Sequence, residues 1–108
     1  MLDDLYVEIL EILENKLGKG ESYISGKFEG LGWLNFPYKG GLLPKISLKQ
    51  QKNAVHLYIM KWIDGKPVLD RYRHIFGKSA TGVGCIRIKK LDSDRKQALI
   101  DIIDICLK

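Results

Sequence analysis

Residues 82–92 run Gly82-Val83-Gly84-Cys85-Ile86-Arg87-Ile88-Lys89-Lys90-Leu91-Asp92, which is a turn, an alternating strand and a helix cap in succession. Successive residues of a strand point to opposite faces, so Ile86 and Ile88 share one side while Arg87 and Lys89 share the other. Asp92 stands where a carboxylate accepts the first free amides of a helix. The segment that follows, Ser93 to Leu107, brings Leu99, Ile102, Ile103 and Cys106 onto one stripe at helical spacing.

The same periodicities extend toward the N-terminus. A glycine-rich loop, 77–84, feeds the strand at 85–89, and Pro67 at a first helical position with Gly77 just past the end brackets a short helix through Leu69, Tyr72 and Phe76. Asp64-Gly65 breaks the chain before it. Residues 54–60 alternate, with Val55, Leu57 and Ile59 on one face and His56, Tyr58 and Met60 on the other. Residues 45–49 alternate as well, with Ile46 and Leu48 inward, and the polar turn 50–53 joins the two strands into an antiparallel hairpin. Residues 21–44, where Tyr23, Trp33, Phe36 and Tyr38 are interspersed with glycine, read as one or two short irregular strands. From Leu2 to Leu17, the residues Leu2, Leu5, Tyr6, Ile9, Leu13 and Leu17 form one apolar stripe of a helix that Gly18 and Gly20 end.

These elements imply an α+β fold: a mostly antiparallel sheet with N- and C-terminal helices packed on one face, in a single domain spanning 1–108. Parity assigns Lys45, Lys49, His56, Tyr58, Met60, Arg87 and Lys89 to the opposite, open face. The chain has 108 residues, 45% hydrophobic and 29% charged, a composition that excludes disorder and a membrane span. The start, MLDDLYVEILEILENKL, is acidic and amphipathic and lacks a secretion signal's basic start and unbroken apolar run, so a cytoplasmic location is expected. Cys85 and Cys106 have no metal-site spacing and read as small buried hydrophobes.

The net charge of +5 is unevenly spread. Residues 1–21 carry six acids and two bases, residues 22–90 three acids and thirteen bases, and residues 91–108 four acids and three bases. Such a basic middle attracts phosphates or nucleic acid.

The stretches LPKISLKQQKNAVHLYI and IFGKSATGVGCIRIKKLDSDRKQALIDII resemble the YdhG-like family of small bacterial domains. The resemblance covers about residues 31–105. It rests on the Gln51-Lys52-x-x-Val55-x-Leu57-Tyr58 strand, the Gly77-Lys78-x-x-Thr81-Gly82-x-Gly84 loop and the strand-Leu91-Asp92-helix ending. It implies a helix-sheet-helix fold similar to frataxin, and one branch of the family has been proposed to chaperone iron. None of these marks is a catalytic signature, and the expectation is a binding or carrier module, not an enzyme.

Three sites follow from these residues. On the open face, His56 and Tyr58 supply directional hydrogen bonds, while Arg87 and the loop residue Lys78 supply charge for a small anion; a protein partner on the same face is the other occupant expected. Gly77-Lys78-Ser79 lacks the spacing of a phosphate-binding P-loop, since Tyr72 stands where the motif needs glycine. In a frataxin-like reading, Asp4, Glu8 and Glu11 share a helix face whose hard oxygens suit iron, against the plainer reading of a solvated acidic face. The basic middle with its aromatics raises single-stranded nucleic acid as a third reading, though no RNP, KH or helix-turn-helix pattern is present. No cofactor other than iron is expected, and sequence says nothing of oligomeric state.

Overall fold

The structure, a computed structural model, describes residues 2–25 and 28–108. Helix α1 (Leu2–Leu17) leads into β1 (Glu21–Ser25), β2 (Phe28–Tyr38), β3 (Gly41–Gln50) and β4 (Val55–Ile59). A small pair, β5 (Trp62–Ile63) and β6 (Lys66–Pro67), precedes a 3-10 segment (Val68–Tyr72), helix α2 (Arg73–Phe76), strand β7 (Cys85–Ile88) and helix α3 (Ser93–Cys106). Strands β1, β2, β3, β4 and β7 pair in that order into a five-stranded sheet, every pairing antiparallel. The α+β reading with terminal helices therefore holds.

The sidedness read from alternation also holds. Leu48 faces Leu57, Ile46 faces Ile59, Leu57 faces Ile86 and Val55 faces Ile88 across the sheet. All of these side chains are buried. Ile9 and Leu13 of α1 and Leu99, Ile102 and Ile103 of α3 cover them and are fully buried too. Burial of each such aliphatic group stabilises the fold by about 1.5–3 kcal/mol before conformational entropy is counted. Of the rest of the expected α1 stripe, Leu5, Tyr6 and Leu17 pack partly buried against this core, and the side chain of Leu2 lies outside the described set. No helix among the described residues is long and apolar enough to cross a membrane.

Three local expectations need correction. Pro67 does not open a helix: it closes the β5–β6 pair with ψ 139, and the chain then makes a 3-10 turn before a single turn of α-helix. Asp64 and Gly65 both have positive φ, 54 and 77, the signature of a tight hairpin turn that the Asp-Gly pair encodes. Lys39 and Gly40, with φ 48 and 79, do the same between β2 and β3, so the region 21–44 holds two full strands and the start of a third.

The third correction concerns Lys45. Pairing runs from Trp33–Ile46 to Asn35–Pro44 and skips Leu34, whose φ is 58. That left-handed residue breaks the alternation, and Lys45 turns from the open face toward the helices, its Nζ donating to the Cys106 carbonyl at 3.5 Å. An ammonium at the last carbonyls of α3 sits at the favourable end of the helix dipole. Beside the same break, Trp33 is buried, donates from Nε1 to the Gly18 carbonyl at 2.9 Å and packs close against Gly20.

Candidate anion-binding groove

The strand signal that decides the fold also places the groove. Because Arg87 follows Ile86 and precedes Ile88, its side chain is exposed while theirs are buried. Register sets His56 directly opposite Arg87 and Lys49 opposite His56, so three basic residues form a row across β3, β4 and β7. Tyr58 pairs with Cys85 in the next row.

The loop after α2 folds back along the outer edge of β7. Arg87 N donates to the Ala80 carbonyl at 2.8 Å, Gly82 N donates to the Cys85 carbonyl at 2.7 Å, and Thr81 bridges to Ile86. Thr81 is buried and donates from Oγ1 to the Gly77 carbonyl at 2.9 Å, and Arg73 donates from Nη1 to the Thr81 carbonyl at 2.6 Å. These bonds satisfy an otherwise open strand edge. They also hold the Ser79 carbonyl against the Arg87 guanidinium, which donates to it from Nη2.

A groove of about 790 Å3 lies where this loop, the β3–β4 turn, the end of β7 and the first turn of α3 meet. Its polar lining is Gln51, Lys52, Asn53, His56, Ser79, Arg87, Lys89, Lys90 and Arg95, and Ala54, Phe76, Ala80 and Ile88 complete the wall. Among the described residues of that lining, five side chains are lysine or arginine and none is aspartate or glutamate. Asp92 stands just outside, where it caps α3 by accepting Arg95 N at 3.0 Å and pairs with Arg95 Nη1 at 2.6 Å. The Arg95 amide, aided by the Arg95 and Lys90 charges, holds the Asp92 carboxyl below the usual carboxylate range.

Of the residues singled out in the sequence, His56 and Arg87 line the groove. Tyr58 lies next to His56, its hydroxyl 3.5 Å from Nδ1, at the long limit of a hydrogen bond. Lys78 is exposed on the loop but is not part of the lining, so the anticipated four-residue cluster is not assembled as a unit. Sequence reasoning left out Lys52, Lys90 and Arg95. A signal for Lys90 and Arg95 is present in the sequence, since both flank the cap residue Asp92.

Burial first, then the Arg87 and Lys49 charges, pulls the His56 imidazole below its usual value. The Arg87 and Lys49 charges thus add to the effect of burial on the ring. Cys85 is not a core residue as expected: it is half-buried on the open face, with Sγ 3.8 Å from His56 Nδ1. Burial pushes its thiol up against the opposing pull of the Tyr58 hydrogen bond and Arg87, which keeps the sulfur protonated and a poor nucleophile. Buried Cys106 is pushed up to about 11. Among the described residues no three His, Cys, Asp or Glu side chains come close enough to hold a metal ion, so Asp4, Glu8 and Glu11 form no such group there.

Fold and groove together define a small two-layer α+β domain with a basic cleft at one end of its sheet. No family model, curated protein or solved structure matches this chain significantly.

Proposed function

We propose that this domain is a binding or carrier module that holds a small anion in the groove at the end of β7. The observation that carries the reading is the lining itself: Lys52, Arg87, Lys89, Lys90 and Arg95 around one cleft without a carboxylate in its wall. Like charges gathered on a folded surface repel one another, and a bound anion relieves that repulsion. Arg87 brings a planar donor fork suited to phosphate or carboxylate oxygens, and His56 adds a ring that gains a proton when an anion arrives. A binding role, not catalysis, accords with the protonated state of the one thiol near a histidine. A reducing, cytoplasmic setting accords with the unpaired Cys85 and Cys106. Kinship with YdhG-like domains stays part of this proposal at the level of fold.

The test is a nuclear magnetic resonance titration at low salt with orthophosphate, sulfate, citrate and tripolyphosphate. Saturable shifts at the amides of Lys52, His56, Arg87 and Lys89, weakened in Arg87→Gln, are expected for at least one of these anions. Shifts that never saturate, or that spread evenly over all surface lysines, would overturn the reading.

A further inference from the structure

We propose that the groove's ligand is a linear anion carrying several phosphoryl groups, an oligophosphate either free or as the tail of a nucleotide, in preference to a single compact anion. This deepens the anion-binding reading and rests on it. Arg87 faces outward on β7 beside His56, and Lys89 and Lys90 follow just past the strand's last residue, Ile88. Arg95, already paired with Asp92, stands on the first turn of α3. Lys52 rides on the β3–β4 turn that meets the end of β7.

These cations come from three segments, the β3–β4 turn, the end of β7 and α3, and together line one groove. A lone phosphate, with a charge of about −2 near neutral pH, cannot balance Lys52, Arg87, Lys89 and Lys90, the four that Asp92 does not pair. An extended chain of negative groups balances more of them. Size agrees, because about 790 Å3 is within the range of pockets that hold drug-sized ligands, roughly 300–1,000 Å3, and is far more than a lone phosphate fills.

The lining also discriminates against a nucleic-acid strand. Sequence-tolerant binding of single strands needs aromatic faces on which bases stack. Among the described residues the only carbocyclic ring in the wall is Phe76, which is 5% exposed, so the groove offers charge without a stacking platform.

Calorimetry at constant pH and ionic strength compares tripolyphosphate, orthophosphate, citrate, adenosine triphosphate and a short oligothymidylate. Tripolyphosphate is expected to bind at least tenfold more tightly than orthophosphate and than citrate, which carries comparable charge in a compact form. Adenosine triphosphate is expected to bind as well as tripolyphosphate if the free chain is the ligand, and more tightly if the source is a nucleotide; both results support the proposal. Lys52→Gln combined with Lys89→Gln should remove most of the preference for the chain, while Lys66→Gln on β6, which removes one charge outside the groove's lining, should leave it intact. Equal affinity for tripolyphosphate and orthophosphate, or for tripolyphosphate and citrate, overturns the proposal and leaves anion binding standing. An oligothymidylate that binds more tightly than tripolyphosphate and competes for the same residues overturns it in favour of nucleic acid. Silence from all five ligands overturns this inference and the parent reading together.

Discussion

His56 has Lys49 on one side of its strand and Arg87 on the other, and that placement makes its titration a direct report on the groove. Burial of the ring, and then the third cation that its protonation adds to the row, hold its midpoint below the usual histidine value of about 6.5. Arg87→Gln should move the midpoint up, and saturating tripolyphosphate should move it up further, both readable from imidazole proton shifts; a midpoint indifferent to both would mean that Arg87 and the groove do not act on the ring. The stability consequence has a definite sign. The unfolded chain protonates this ring at a higher pH than the folded one, so stability contributed by His56 is intact above about pH 6.5 and falls as pH drops toward the folded-state value. Cysteine chemistry follows equally from placement: with both thiols pushed up by burial, iodoacetamide at neutral pH should label the native protein slowly and Cys85 before Cys106, whereas denaturant should release both at once. At this scale the strand residues of the site were legible in the sequence, because parity alone puts His56 and Arg87 on one face. Lys78 was not, since the course of a loop depends on backbone bonds such as Arg87 N to Ala80 that no side-chain pattern announces.

Elements whose period is uninterrupted were the legible ones. Helix α1 occupies the span its apolar stripe sets, and α3 begins after the Asp92 cap as expected. Asp92→Ala should lower the thermal midpoint and cost more than Asp92→Asn, whose side-chain oxygen still accepts the Arg95 amide, as followed by circular dichroism. What escaped was strand hidden among glycines. Gly32 looks like a breaker, yet a β-carbon there would stand 2.8 Å from Pro44 Cβ, so the glycine marks a close approach inside a strand. Gly20 has the same role against Trp33: an added β-carbon would lie 2.6 Å from the indole ring. Gly20→Ala should therefore displace the ring, break its bond to Gly18 and destabilise the domain by about 1–3 kcal/mol, with Trp33 fluorescence shifted toward that of a solvated indole. The β5–β6 turn was missed for a different reason. Asp64-Gly65 reads as a break, yet its short flanks, Trp62-Ile63 and Lys66-Pro67, pair across it, and that pairing claims Pro67 before a helix can.

The whole molecule opposes its two faces, an aliphatic layer under the helices that carries the stability and a cationic sheet end that carries the proposed function. Changes to one face should therefore leave the other nearly untouched. Leu57 is fully buried on β4 between Leu48 and Ile86, and Leu57→Ala removes contacts that the surrounding strands and helices cannot close over. It should cost about 2–5 kcal/mol in chemical denaturation, a large share of the total for a domain of this size. The Lys52→Gln, Lys89→Gln pair behaves oppositely. Both side chains are exposed, neither meets a carboxylate within ion-pair distance among the described residues, and both stand beside other cations in a chain of net charge +5. Removing them should leave the denaturation midpoint unchanged or raise it at low salt, and the difference should fade at an ionic strength of about 1 M, where charges more than roughly 3 Å apart are screened. The same protein should have lost most of its preference for tripolyphosphate over orthophosphate. A double variant that unfolds more easily at low salt would instead place those lysines in the framework of the fold, because a charge kept only for a ligand contributes nothing to the empty domain except repulsion.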